Sequence, residues 1–294
     1  MTGERVVTNG LVRDWPLPAA SDGGDKHSRG TVLVVGGSVR VPGAAMLAGI
    51  AALRAGAGRL MVATTLSTAI PLGVTLPEAL VAGMPESEEG GIDPGAADEI
   101  VAMAGDAAAV LIGPGLMDRQ AVPALCRSVL DGVAAMDGDR PLVVLDAAAL
   151  STLDADADPF RELGGRVVLT PNAGELATVA GVEAADMDVC AVATDVAARL
   201  GAVVVVQGWI CAPAGDRWRH EAGTAGLGTS GSGDVKSGII SGMAARGAEP
   251  AQAGVWGAHV HARAGERLVA SIGMGFLARQ LLEEIPPAMA EIAS

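Results

Sequence analysis

At 294 residues with a formal net charge of -14, the chain has room for a large core but no surplus of basic residues to grip a phosphate backbone, which excludes nucleic acid as a partner. Half of the residues are hydrophobic, yet only 2% are aromatic and Tyr is absent, so the core must be built from Ala, Val, Leu, Ile and Met. Cys126, Cys190 and Cys211 are scattered without metal or redox spacing, which fits idle thiols in a reducing compartment.

The opening residues lack the basic start and apolar run of a secretion signal. Residues 1–28 follow no periodic pattern and are expected to drape irregularly over a single domain spanning 1–294. "TVLVVGG" (31–37) then reads as a strand, followed by a helix over 43–57. The apolar part of that helix is too short to span a bilayer and carries Arg54, so no membrane contact and a cytoplasmic setting are expected. "RLMVAT" (59–64) is the next strand; the acidic, glycine-bearing stretch 84–99 reads as an exposed loop leading into a helix. Strands follow at "AAVLIGPG" (108–115), "PLVVLDA" (141–147), "RVVLTPN" (166–172) and "AVVVVQG" (202–208), with crossover helices near 118–131 and 186–200. "WICAPAGDRWRHEA" reads as a hairpin turned at Ala214-Gly215-Asp216, and helices near 232–246, 250–268 and 275–284 finish the chain.

The strand runs are unbroken rather than alternating, as strands buried on both faces are. Strand alternating with helix predicts an α/β fold: a doubly wound, mostly parallel central sheet flanked by helices on both faces. Ligands in such sheets bind beyond the carboxyl ends of the strands, and the glycine turns fall there: "GGS" (36–38), "GPG" (113–115), "NAGE" (172–175) and "QG" (207–208).

In "GTSGSGDVKSG" (228–238), small residues surround one carboxylate at a loop-to-helix transition. The backbone of Gly231, Ser232 and Gly233 can form an anion hole, helped by the helix dipole, with Asp234 as general base. The plainer reading is a helix start capped by Ser232 or Asp234, although a cap does not require four glycines. Asn172 and Glu175 are spaced either for a capping box or for Glu175 to hold a Mg²⁺-bound water. Asp146 ends a strand but has no second carboxylate near it in sequence. His259 and His261 stand two apart, point away from each other on a helix, and read as polar helix residues rather than metal ligands.

Taken together, "GGSVRVPGAAMLAGIAALRAGAG", "IGPGL", "LDAAAL", "LTPNAGE" and "GTSGSGDVKSGIISG" resemble, in order, the stand-alone NAD(P)H-hydrate dehydratase family of the ribokinase-like superfamily, from about Lys26 to the C-terminal helices. The resemblance implies a ribokinase-like fold and repair of hydrated NADH or NADPH with ADP as co-substrate and Mg²⁺, giving AMP and phosphate. It implies that Ala44, Gly115 and Asn172 contact the hydrated dinucleotide. Gln207, Gly208, Trp209, Ile210 and Cys211 would border the adenine nucleotide, Gly233 would lie on its phosphates, and Asp234 would meet the substrate hydroxyl. A homo-oligomer is also implied. Three departures stand out: Asn172 replaces a usual His, Gln207-Gly208 replaces Lys-Gly, and "DAAAL" replaces "DADAL". Lys236 is a candidate to make up the missing charge. Alternatives are an ATP-dependent ribokinase-like kinase of a small molecule, suggested by Asn172-x-x-Glu175, and a non-catalytic nucleotide-binding relative.

Overall fold

A computed structural model describes residues 3–18, 29–153, 160, 162–185 and 187–294; Lys26 lies outside them. The strands are β1 (Glu4–Val7), β2 (Thr31–Val35), β3 (Arg59–Thr65), β4 (Ala79–Met84), β5 (Ala109–Ile112), β6 (Leu142–Leu145), β7 (Val167–Leu169), β8 (Val203–Val206), β9 (Trp209–Cys211) and β10 (Arg217–His220). The described helices are α1 (Asn9–Asp14), α2 (Pro42–Arg54), α3 (Leu66–Thr75), α4 (Ala97–Ala104), α5 (Ala121–Ala134), α6 (Ala173–Ala180), α7 (Val189–Leu200), α8 (Ser232–Ala245), α9 (Pro250–Ile272) and α10 (Ala278–Ala293).

All ten strands among the described residues join one sheet in the order β1-β10-β9-β8-β7-β6-β5-β2-β3-β4. Among the described strands only β9 runs against the others, through its antiparallel pairings to β8 and β10. The unbroken apolar runs divide their side chains between two cores. Val32, Val34, Val203 and Val205 pack with α2, α8, α9 and α10 on one face, whereas Leu33, Val35, Val204 and Val206 pack with α4, α5, α6 and α7 on the other. This two-residue alternation is the pleat itself, so every residue of β2 and β8 is buried.

The chain leaves β2 for β3 on one side and, after β4, returns to β5 on the other. The loops after β2 and β5 therefore diverge at a topological switch point, where ligands enter doubly wound sheets. They are tied together there by the Gly37 N–H, which donates to Pro114 O at 2.7 Å.

Residues 4–14 correct the expectation of an irregular N-terminal segment: they form β1 and α1. β1 adds to the sheet edge by parallel pairing with β10, more than two hundred residues away, and three of its four residues are exposed, so no local pattern announces it. The segment is then fixed to α9. Trp256 Nε1–H and Gln252 Nε2–H donate to Trp15 O at 2.8 and 3.2 Å, and Trp15 stacks on Trp218 with ring centroids 5.7 Å apart. The second strand absent from the sequence reading is β4, an edge strand whose mixed exposure blurs its pattern.

Candidate active site

The site begins with the packing of α2 on α8. A Cβ on Gly238 would sit 2.2 Å from Ala48 O, and one on Gly242 would sit 2.4 Å from Ala52 O. Glycine at both positions lets the two backbones touch, and the matching contacts set the helices side by side in one parallel register. Ala44 is thereby level with Asp234, one turn earlier on each helix. A Cβ on Gly115 would meet Ala44 Cβ at 3.0 Å and Val41 O at 2.5 Å, and Gly115 has φ +72, so only glycine suits the post-β5 loop. Ala44, Gly115 and Asp234 thus share one corner of the rim.

α8 starts after Gly231, whose φ of 86 and close approach to Leu47 Cδ1 (2.7 Å from a built Cβ) also demand glycine. No side chain caps the helix. Ser232 is not available as a cap: it is buried, its N–H donates to Thr229 O, and its hydroxyl lies 3.0 Å from His261 Nε2. First-turn N–H groups have no partner within a helix, so this end favours an anion. Gly233 is exposed beside it, and a Cβ there would meet nothing within 4 Å.

Gly233 opens on a cleft of about 750 Å³ lined also by Asn172, Gln207, Gly208, His220, Ser232, Lys236 and His261. Gln207 and Gly208 form the β8–β9 turn, with φ of 40 and 85, the geometry a two-residue hairpin needs. Trp209 is half-buried, with the Arg219 guanidinium 5.9 Å from its ring centroid. Trp209, Ile210 and Cys211 do not line the cleft: Trp209 packs on the face of Cys211, and Ile210 and Cys211 are fully buried, one in each core, because successive strand residues face opposite sides of the sheet. A larger cavity of about 900 Å³ opens at the opposite rim, under the strand N-termini and against the last turn of α8, away from all of these groups.

Asp234 follows Gly233 in the first turn of α8 and is half-buried, and its carboxyl is pushed up to about 7, first by burial and then by the charge of Asp146. Asp146 lies after β6, is 5% exposed, and accepts from Thr170 Oγ1 at 2.8 Å. The second carboxylate that Asp146 lacked in sequence is therefore supplied by the fold. Gly113 makes room for this turn: a Cβ there would fall 1.8 Å from Asp146 O.

Asn172 and Glu175 form a complete capping box at the start of α6. Glu175 N–H donates to Asn172 Oδ1 at 2.9 Å, and Asn172 N–H donates to Glu175 Oε2 at 2.8 Å. Glu175 is nonetheless part of the rim's electrostatics. Burial raises its pKa, the Asn172 N–H lowers it, the charge of Asp146 raises it, and that of Lys236 lowers it. Among the described residues no three His, Cys, Asp or Glu side chains converge as a metal site. The neighbouring carboxylates Asp146 and Glu175 do fit a hydrated divalent cation that takes most of its ligands from water and phosphate.

The histidines missed as site neighbours are both fixed by hydrogen bonds. His261 reaches Ser232, while His259 Nε2 reaches Asn9 Oδ1 at 2.7 Å, so the two do point apart, but as buried groups. Burial above all holds them neutral, His259 down to about 4 and His261 to about 3. His220 and Thr170 were likewise not placed at the site by any sequence motif, since their elements meet only in the folded sheet, whereas Lys236, the candidate for the missing charge, does line the cleft.

Comparison with known proteins gives a consistent result. A family model described as NAD(P)H-hydrate dehydratase matches residues 32–287. The chain is 47% identical to the ADP-dependent (S)-NAD(P)H-hydrate dehydratase of Xanthomonas campestris, with 97% of each chain covered. Among solved structures, the ADP/ATP-dependent NAD(P)H-hydrate dehydratase of Bacillus subtilis, co-crystallised with ATP and Mg²⁺, superposes with a TM-score of 0.80 at 27% identity over 98% of both chains. A ribokinase-like superfamily protein of Enterococcus faecalis has the same fold, with a TM-score of 0.80 at 23% identity, covering 100% of this chain and 98% of that one.

Proposed function

This chain belongs to the NAD(P)H-hydrate dehydratase family, and from that premise we propose that its rim carries out the ADP-dependent dehydration of hydrated NADH and NADPH, with Asp234 as the general base. The enzyme is a hydro-lyase with an adenine nucleotide as co-substrate. The observation that carries the residue assignment is the Asp234 carboxyl, held near neutrality at the first turn of α8, beside Gly233 and level with Ala44. A carboxylate with a pKa of about 7 is matched to accepting a proton at neutral pH, where an ordinary one is too weak a base.

In the first step Asp234 takes the proton of the hydrate's hydroxyl as that oxygen attacks the terminal phosphorus of ADP. The bond from that phosphorus to the bridging oxygen breaks, and AMP leaves with the bond's electrons. The phosphorylated carbon then expels phosphate, the neighbouring carbon loses a proton, and the ring double bond returns. Phosphoryl transfer needs positioning and charge stabilisation more than covalent help. The backbone at Gly231 and Gly233 receives the phosphates, the Ser232 N–H being already taken by Thr229 O, Gln207 and Gly208 border the nucleotide, and Ala44, Gly115 and Asn172 border the hydrated dinucleotide. Mg²⁺, held through water by Glu175 with Asp146 nearby, supplies charge neutralisation on the phosphates when bound.

We further propose a single cytoplasmic domain that assembles with copies of itself. No described helix is long and apolar enough to cross a membrane. On α3, Leu66, Ile70 and Val74 form an exposed stripe at 63%, 79% and 79%, next to Leu80 on edge strand β4, which suits a second copy. An Ile70→Asp variant should then show a lower solution mass by light scattering; an unchanged mass removes this face.

The activity test is direct. Hydrated NADH is supplied with ADP, then with ATP, and recovery of reduced-nicotinamide absorbance is followed. Recovery with ADP is expected; absence of recovery with both nucleotides overturns the reading.

A further inference from the structure

Helix α8 carries one more chemical group to the nucleotide cleft. Lys236 lies two residues beyond Asp234 and lines the cleft with Gln207, Gly208, Ser232 and Gly233. It is the one Lys or Arg among the cleft's described lining residues, in a chain with only two lysines and a net charge of -14. The cleft's histidines do not supply positive charge. Burial pushes His220 and His261 down, and each ring is already bonded, His220 Nδ1 to Ala222 O at 2.8 Å and His261 Nε2 to Ser232.

The carboxylates lie on the other side of the balance. Asp146, Glu175 and Asp234 come from the turn after β6, from α6 and from α8, and Asp146 acts electrostatically on both of the others. A nucleoside diphosphate entering here brings further negative charge to an already acidic rim. The N–H groups of α8 and a bound Mg²⁺ would offset part of it, and a cationic side chain in the cleft would offset more. Lys236 is placed to provide it. Burial lowers its pKa from the ordinary lysine value, and the charges of Asp146 and Glu175 oppose that shift. The amine shares the cleft with Ser232 and Gly233 at the start of α8, where phosphates would arrive.

We propose that Lys236 is the phosphate-binding cation of this enzyme, donating from Nζ to the phosphates of the adenine nucleotide. The proposal rests on the nucleotide reading of the cleft. Its test is calorimetric titration of ADP, and separately of adenosine, into the full-length parent, Lys236→Met and Lys236→Arg. The neutral variant should lose about 10- to 100-fold in ADP affinity, the scale of a hydrogen bond to a charged group, and stay within about twofold for adenosine. Lys236→Arg should recover most of the loss. If Lys236→Met fails to fold, Lys236→Gln takes its place. A neutral variant that binds ADP like the parent overturns the proposal, and so does an equal loss for ADP and adenosine, which would mark a structural role. A parent that binds ADP only weakly while the neutral variant matches it refutes Lys236 alone; a parent that binds neither ADP nor ATP removes the nucleotide reading together with it.

Discussion

Replacing Asp234 by Asn separates its chemical role from its structural cost, because the two move in opposite directions. The carboxyl rises from 3.8 to about 7, chiefly through burial. At ~1.4 kcal/mol per unit that is a ceiling of about 4 kcal/mol, and water reaching a half-buried group lowers it to about 2 kcal/mol. The sign follows from the raised value. Below pH 4 the carboxyl is protonated in folded and unfolded chains alike and costs nothing. Between pH 4 and 7 the unfolded chain ionises first, so the native state loses ground, and above pH 7 the full penalty applies. Asn carries no such penalty. Asp234→Asn is therefore expected to be more stable than the parent by about 2 kcal/mol at pH 8, with the gain shrinking as pH falls towards 4. The same variant should lose about 10²–10⁴ in turnover, the usual share of a positioned general base. ADP should bind it at least as tightly, because a negative charge beside the phosphates is gone. Urea denaturation at pH 8 and 5, with turnover and ADP titration on the same preparation, measures all three quantities. A variant that is less stable at pH 8, or that keeps more than a tenth of the parent's turnover, refutes the reasoning.

The pH profile of the parent's kcat/KM should fall tenfold per unit below about pH 7, following Asp234. In Asp146→Asn that limb should move to lower pH without reaching the ordinary carboxylate range, since burial is the larger cause; an unmoved limb would show that the two carboxyls do not interact. Gly238→Ala forces a methyl against Ala48 O and should cost ~1–3 kcal/mol while pushing α2, with Ala44, away from Asp234. Gly43→Ala, with nothing within 4 Å, is its control, and equal melting temperatures for the two would contradict the helix contact. Burial raises the thiols of Cys126 and Cys211 to about 12 and about 11, so a thiol reagent at pH 8 should label half-buried Cys190 first and the others only on unfolding. Fast labelling of Cys126 in the native protein would contradict the packing of α5.

Much of this protein is legible in the chain because its central strands are buried on both sides. A strand such as Val203–Val206 can use only apolar residues, so its sequence announces both its conformation and its place in a parallel sheet. The glycines at 115, 231 and 238 are equally local signals, since each marks a backbone approach or a positive φ that a side chain would obstruct. Edge elements obey weaker constraints. β1 and β4 are partly exposed and were silent until their partners were present, and the alternation that hides Ile210 and Cys211 from the cleft depends on what packs on each face of β9.

The amino-acid order by itself determined the layers, the rim at which loops gather and the single acid poised where a helix begins. Tertiary structure alone decided the charge of that acid. Asp146, eighty-eight residues away in the chain, raises the proton affinity of Asp234, and Lys236 stands among carboxylates drawn from two other elements. Electrostatic work depends on distance through space and on the water excluded between groups, and neither quantity is written in the spacing of residues along a chain.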